Sequence, residues 1–159
     1  MKGSPEVIKI LNELLKGELA ATNQYFLHAS LCKKWGYMRL YKKIYDESIE
    51  EMKHAEQLID RILFLEGLPI LSDSVRVSIG KNIKEMLEND LTLEKDGVPE
   101  LKKSIALCLE QADTGTRELI EHILVSAEEH ISWLEAQTFL LQQVGYENYC
   151  AQQIQTASE

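Results

Sequence analysis

A chain of 159 residues has room for one good hydrophobic core and is too short for two ordinary domains, so residues 1–159 read as one domain. With 45% hydrophobic and 27% charged residues it falls among soluble globular proteins, and no uncharged run approaches the roughly 18 residues of a membrane span. A formal net charge of −9 argues against a nucleic-acid surface and suits the attraction of cations. The amino-terminal stretch MKGSPEVIKI has no apolar secretory core, which points to the cytoplasm. Cys32, Cys108 and Cys150 are odd in number and form no Cys-x-x-Cys pair, so neither a disulfide framework nor a thiolate metal site is indicated.

In chain order, Ser4-Pro5-Glu6 predicts a helix start: serine can cap, proline fits the first helical position and the glutamate complements the helix dipole. The seam that follows, Leu11, Leu14 or Leu15, Glu18, Thr22, Tyr25, Ala29 and Cys32, is interrupted by a glutamate and ends at Trp35-Gly36. Leu19, Asn23 and Phe26 form a second stripe beside it. A second helix is expected over about residues 39 to 66, with the seam Ile44, Ser48, Glu51, Ala55, Leu58, Ile62 and Leu65 and the flanking stripe Tyr45, Ile49 and Met52. Two faces needing cover on one helix imply a subunit interface as well as a core.

Residues 67 to 82, including the β-branched patch Ser74 to Ile79, read as a crossover, which makes helices two and three parallel. The third seam, Ile83, Leu87, Leu91, Glu94, Val98, Leu101, Ile105 and Cys108, contains Gly97 and Pro99, which are expected to bend or weaken the helix. The fourth, introduced by Asp113-Thr114-Gly115, runs Thr116, Ile120, Ile123, Ala127, His130, Leu134, Gln137, Leu141 and Val144. Gly145 ends it, and Glu147 to about Thr156 reads as a short fifth helix. The expected fold is all-α: a four-helix bundle with a long crossover between helices two and three and a short fifth helix.

Each of the four seams carries a polar intruder: Glu18, then Glu51 with His54, then Glu94, then His130. A buried carboxylate needs a partner, which can be hydrogen bonds, an arginine or a metal ion. Di-iron bundles supply one inward Glu from each of two helices and Glu-x-x-His from each of the other two. Two cations close together require several negative oxygen ligands, and imidazole suits iron. Helices one, two and three meet that pattern. Helix four does not, because the position one turn before His130 is Ala127, while Glu128 and Glu129 point about 100° and 200° away from it.

With these residues in view, the chain resembles the bacterioferritins over essentially its whole length, through NQYFLHA at 23 to 29, DESIEEMKHAEQLIDRILFLEGLP at 46 to 69, and then EMLENDLTLE, EEHISWLE and ENY. The resemblance implies a hollow shell of two dozen subunits that stores iron as a ferric mineral, oxidises Fe(II) at a di-iron ferroxidase centre and binds haem b between paired subunits. Carried over residue by residue, it implies metal ligands at Glu18, Glu51, His54, Glu94 and His130, with the family's bridging glutamate replaced by Ala127. It makes Met52 the axial ligand of a haem shared by two subunits, in a pocket of Leu19, Asn23, Phe26, Tyr45 and Ile49. Asp46 stands where better-known members have a histidine, so Asp46 and Glu50 form an i, i+4 carboxylate pair that can bind iron at the inner surface or simply be solvated. The resemblance also implies a small ferredoxin as the partner in iron release.

The leading expectation is a haem-binding iron-storage subunit with an incomplete ferroxidase centre that relies on co-assembly with a catalytic partner subunit. The alternatives are a homopolymeric shell with an active centre and a ferritin-like di-iron oxygenase or peroxidase. No nucleic acid and no membrane is expected as a partner.

Overall fold

In the computed structural model, which describes residues 1–71 and 76–154, five helices follow one another: α1 Pro5–Trp35, α2 Met38–Phe64, α3 Ile83–Glu110, α4 Thr114–Val144 and α5 Tyr146–Ala151. Among the described residues there is no strand. Helix starts and stops follow local chemistry. Pro5 fills the first turn of α1, although Ser4 makes no side-chain cap bond. Gly36, at φ 86°, ends α1 in the left-handed conformation that costs glycine little. Asn82 caps α3 by accepting from the Glu85 N–H at 2.9 Å. Asp113 caps α4 by accepting from the Thr116 N–H, while Arg61 of α2 donates to the same carboxylate at 2.7 Å.

The pairing of α1 fixes the topology. Ser48 of α2 donates to the Thr22 carbonyl, and residues near Glu51 and His54 meet Glu18, so α1 and α2 run antiparallel. Tyr25 reaches Glu94 and Gln24 reaches Asp90, whereas the earlier Glu13 and Leu14 share a cavity wall with the later Glu100 and Leu101, so α1 and α3 are antiparallel too. Helices α2 and α3 are therefore parallel, as a crossover requires. Of the β-branched patch, residues 74 and 75 lie outside the described residues, and residues 76–80 are neither helix nor strand.

That crossover is held by a buried relay. Asp90 accepts from the Gln24 amide at 2.8 Å and meets His28 Nδ1 at 2.8 Å, while His28 Nε2 accepts from the Gly80 N–H at 3.0 Å. Nδ1 is therefore the protonated nitrogen of a neutral ring. Gly80 is required here: a Cβ would lie 2.3 Å from the Met86 nitrogen.

Helix α3 continues uninterrupted through Gly97 and Pro99. Pro99 is exposed, as is Lys95, whose carbonyl loses its intrahelical donor and can turn to water. Helix α5 begins one residue earlier than expected and ends at Ala151, and Thr156 is outside the described residues. All three cysteines are buried and free.

The apolar interior falls into two clusters. One gathers Leu11, Leu15, Leu58, Ile62, Leu101, Ile120, Ile123 and Ala127 at the end of the bundle nearest the α2 C-terminus. The other gathers Tyr25, Ile44, Met86, Leu87, Leu134 and Tyr149 at the opposite end. Each fully buried aliphatic side chain contributes about 1.5 to 3 kcal/mol. Between the clusters lies a layer of charge: Glu18, Glu51, His54, Glu94 and His130 are all buried.

Candidate metal centre

Each member of this layer is delivered by helical phase. Glu51 and His54 stand one turn apart on α2, and His54 Nδ1 is 3.1 Å from Glu51 Oε2 and 3.3 Å from Glu18 Oε2 of α1. One Nδ1–H cannot serve both carboxylates well, and Glu18 Oε2 is left without a hydrogen-bond partner. His54 Nε2 is likewise buried without a hydrogen bond, its nearest acidic oxygen being Glu50 Oε1 at 3.8 Å. On the other side, His130 Nδ1 of α4 is 2.8 Å from Glu94 Oε1 of α3, which also accepts a short hydrogen bond from the Tyr25 hydroxyl. An orphaned carboxylate oxygen in a core is costly, and a cation bound between Glu18, Glu51 and His54 would satisfy Glu18 Oε2.

The electrostatics point the same way. Burial pushes Glu51 up to about 8; the hydrogen bond with His54 lowers it and the neighbouring Glu18 carboxylate raises it. For His54, burial works downward, but Glu18 and Glu51 carry it up to about 10. Glu94 is raised, chiefly by burial. His130 is raised by Glu94 and by the more distant Glu47 and Glu51, against the effect of burial. Burial, with Glu94 next, drives the Tyr25 hydroxyl well above its ordinary range. In the free protein the layer therefore holds protons that a metal would displace.

Among the described residues, two groups of side chains bring one donor atom each within 4.8 Å of one another: Glu18, Glu51 and His54, and Glu47, Glu51 and His130. Glu51 belongs to both. Carboxylate and imidazole together suit first-row divalent metals such as iron. Ala127 is buried and faces a cavity of about 180 Å³ whose wall includes Glu18, Glu51 and Glu94. Glu128 and Glu129 are exposed. Sequence reasoning singled out every member of these groups except Glu47, whose i, i+4 spacing from Glu51 was its only signal.

Asp46 is exposed and Glu50 half-exposed; they line a polar cleft of about 300 Å³ that also reaches Glu47, Glu129 and His130. The cleft gives the buried layer an acidic outlet.

The other face of α2 is different in kind. Met52 is 50% exposed and Phe26 54% exposed, and Tyr45 and Asn23 are also exposed, with Leu19 and Ile49 partly covered. The Phe26 and Tyr45 rings lie 6.3 Å apart. Among the described residues nothing covers this apolar stripe. An exposed thioether among aromatic and aliphatic side chains fits an apolar, metal-centred ring such as haem.

Comparison with known proteins agrees with this architecture. A ferritin-like domain matches residues 8–144. A bacterioferritin of Brucella melitensis is 47% identical over 149 residues, covering 94% of this chain and 92% of its own. A bacterioferritin of Mycobacterium tuberculosis is 43% identical over 152 residues, 96% of each chain. A bacterial ferritin of Synechocystis is 43% identical over 155 residues, 97% of this chain and 99% of its own. With the helix order, the buried carboxylate and histidine layer and near full-length identity in agreement, the chain belongs to the bacterioferritins, within the ferritin-like family.

Proposed function

We propose that this chain is an iron-storage subunit of a hollow bacterioferritin shell in the cytoplasm, one that binds haem but carries an incomplete ferroxidase centre. Iron storage follows from the family. The observation that carries the finer reading is the convergence of Glu18, Glu51, His54, Glu94 and His130 on one buried layer with Ala127 facing the same cavity.

In this reading iron is the substrate. Glu18, His54 and Glu51 hold one Fe(II), Glu94 and His130 face a second, and Glu51 lies between the two. The carboxylate that would join the metals from the α4 side is missing, so oxidation is slow in this chain alone. The Tyr25 hydroxyl, donating to Glu94, orients that carboxylate toward the layer. Asp46 and Glu50 at the mouth of the acidic cleft offer oxygens to iron leaving the centre or to the first mineral ions.

Haem fits the Met52 stripe only when a second copy supplies the other side. Met52 would offer its thioether to the haem iron, and Leu19, Asn23, Phe26, Tyr45 and Ile49 would flank it. When bound, haem supplies one-electron transfer, and a neutral thioether favours the reduced metal. A small ferredoxin is the proposed electron donor for iron release. Mineral growth needs ferric iron delivered to the cavity and not a working centre in every subunit, so co-assembly with a ferroxidase-competent subunit is the natural use of this chain.

The test is to mix or co-express the chain with an intact ferroxidase subunit. The initial oxidation rate per shell should rise with the fraction of the intact subunit. Failure to form mixed shells sinks the partner reading.

A further inference from the structure

We propose that Glu47, reaching His130 from the acidic cleft and not from the cavity that Ala127 faces, acts as a terminal ligand that lets the His130 side of the layer hold a divalent cation of its own. The proposal rests on the reading of Glu51, Glu94 and His130 as cation ligands.

The geometry carries it. Glu47 lies one helical turn before Glu51 on α2, so both carboxylates look into the bundle from the same face. Its side chain is only 15% exposed, and Glu47 Oε2 is 3.7 Å from His130 Nδ1. One oxygen each from Glu47 and Glu51 and a nitrogen of His130 lie within 4.8 Å of one another, and Glu94 Oε1 stands 2.8 Å from His130 Nδ1. A single cation can thus collect the Glu47 and Glu51 carboxylates and the His130 imidazole, with Glu94 hydrogen-bonded to that imidazole, without any residue from position 127.

Glu47 cannot do what the missing glutamate would have done. It approaches from the His130 side, away from Glu18 and His54, so it cannot join the two metals. The layer would bind two cations through one shared carboxylate, Glu51. Two-metal occupancy and fast paired oxidation are then separable in this chain.

Lys43 explains how Glu47 is kept ready. Its ammonium makes a short ion pair with Glu47 while resting 5.2 Å from the centre of the Trp133 ring. The long, flexible stem can swing into the cleft that both residues line when a cation claims the carboxylate. Lys43 is in this account the counter-ion that a cation replaces.

Titration of the full-length, metal-free protein with Co(II), followed by its d–d absorption, tests this without any oxidation. The parent should bind two Co(II) per subunit. Glu47→Gln, which keeps the shape, should weaken the second by about 10 to 100-fold and leave the first unchanged. Glu47→Gln combined with Ala127→Glu should recover two. Lys43→Met should tighten the second Co(II) in the parent and have little effect once Glu47 is Gln, since the two residues act through one contact. A parent that takes up only one Co(II), or a Glu47→Gln protein that binds both as the parent does, overturns the proposal. His130→Ala separates the two levels of the argument. If it removes the second Co(II) while Glu47→Gln does not, only the role of Glu47 fails; if it changes nothing, the reading of the centre fails with it.

Discussion

Glu51 and Met52 are neighbours in sequence, and α2 turns them about 100° apart onto two faces that break the ordinary rule of burial in opposite ways. The inner face buries charge: Glu51 is 6% exposed and His54 2%. The outer face exposes apolar bulk: Met52 is half-exposed beside Phe26 and Tyr45. A buried charge and an exposed apolar stripe are the two observations that most often mean function. Their difference lies in who completes them. The inner layer draws its donors from four helices of the same chain and is visible in one subunit. The outer stripe presents a single thioether, and in the proposed reading a second copy completes it.

If the two faces are independent, each can be disabled without the other. The largest effect belongs to Met52→Leu, which keeps apolar volume but removes the sulfur. Haem per subunit should fall to near zero, while Co(II) binding to the inner layer keeps its affinity. Unchanged haem content would remove Met52 from its role, and a parallel loss of Co(II) binding would mean that the faces are coupled.

A change of pH should act on the inner face alone. Glu51 is pushed up to about 8 and His54 to about 10, so both are protonated at neutral pH and a cation must expel those protons. The sign follows: below about pH 8 protons compete with metal at both groups. Co(II) affinity should drop by at least about tenfold for each unit of pH below 8. A flat profile between pH 8 and pH 6 would show that the layer is already deprotonated.

Much of this division was legible in the sequence because it is written in helical phase. Ile44, Ser48, Glu51, Ala55, Leu58, Ile62 and Leu65 form one stripe of α2 on paper and are all buried. The register of α4 was legible for the same reason, since only a face with Ile120, Ile123, Ala127 and His130 inward keeps its apolar residues covered. What escaped is what periodicity does not encode. Gln24 and His28 belong to neither predicted stripe of α1; they are buried because Asp90, more than sixty positions away, meets them across the α1–α3 contact. Glu47 sits at the rim of the seam, and only the placement of α4 brings His130 to it. Gly97 and Pro99 were expected to bend or weaken α3; the helix runs through both without a break, and Lys95, whose carbonyl Pro99 leaves without a donor, is exposed.

The smallest effect separates packing from both faces. Asp113 is held below the usual carboxylate range: burial opposes this, but hydrogen bonds from Thr116 and the pairing with Arg61 prevail. A lowered folded pKa stabilises above the unfolded value near 4, and that stability is lost as pH falls through the folded value. Asp113→Ala should therefore cost about 1 to 2 kcal/mol at neutral pH, with the difference from the parent shrinking in acid. Haem and Co(II) binding should not move, and thermal unfolding at pH 7 and pH 3 checks the claim.

The central claim is that Ala127 leaves the centre incomplete, and Ala127→Glu addresses it most directly. The new carboxylate would lie one turn from His130 on the same seam, bordering the cavity that Ala127 faces. Stopped-flow oxidation at about two Fe(II) per subunit, the stoichiometry of a two-metal site, should show a fast saturable phase in the variant that the parent lacks. The gain should be at least about tenfold, since even outer partners of metal ligands are worth about 10 to 100-fold. The metal-free variant should unfold more readily, because it buries one more unpaired carboxylate. A parent that already shows the fast phase, with no gain on substitution, would contradict the account.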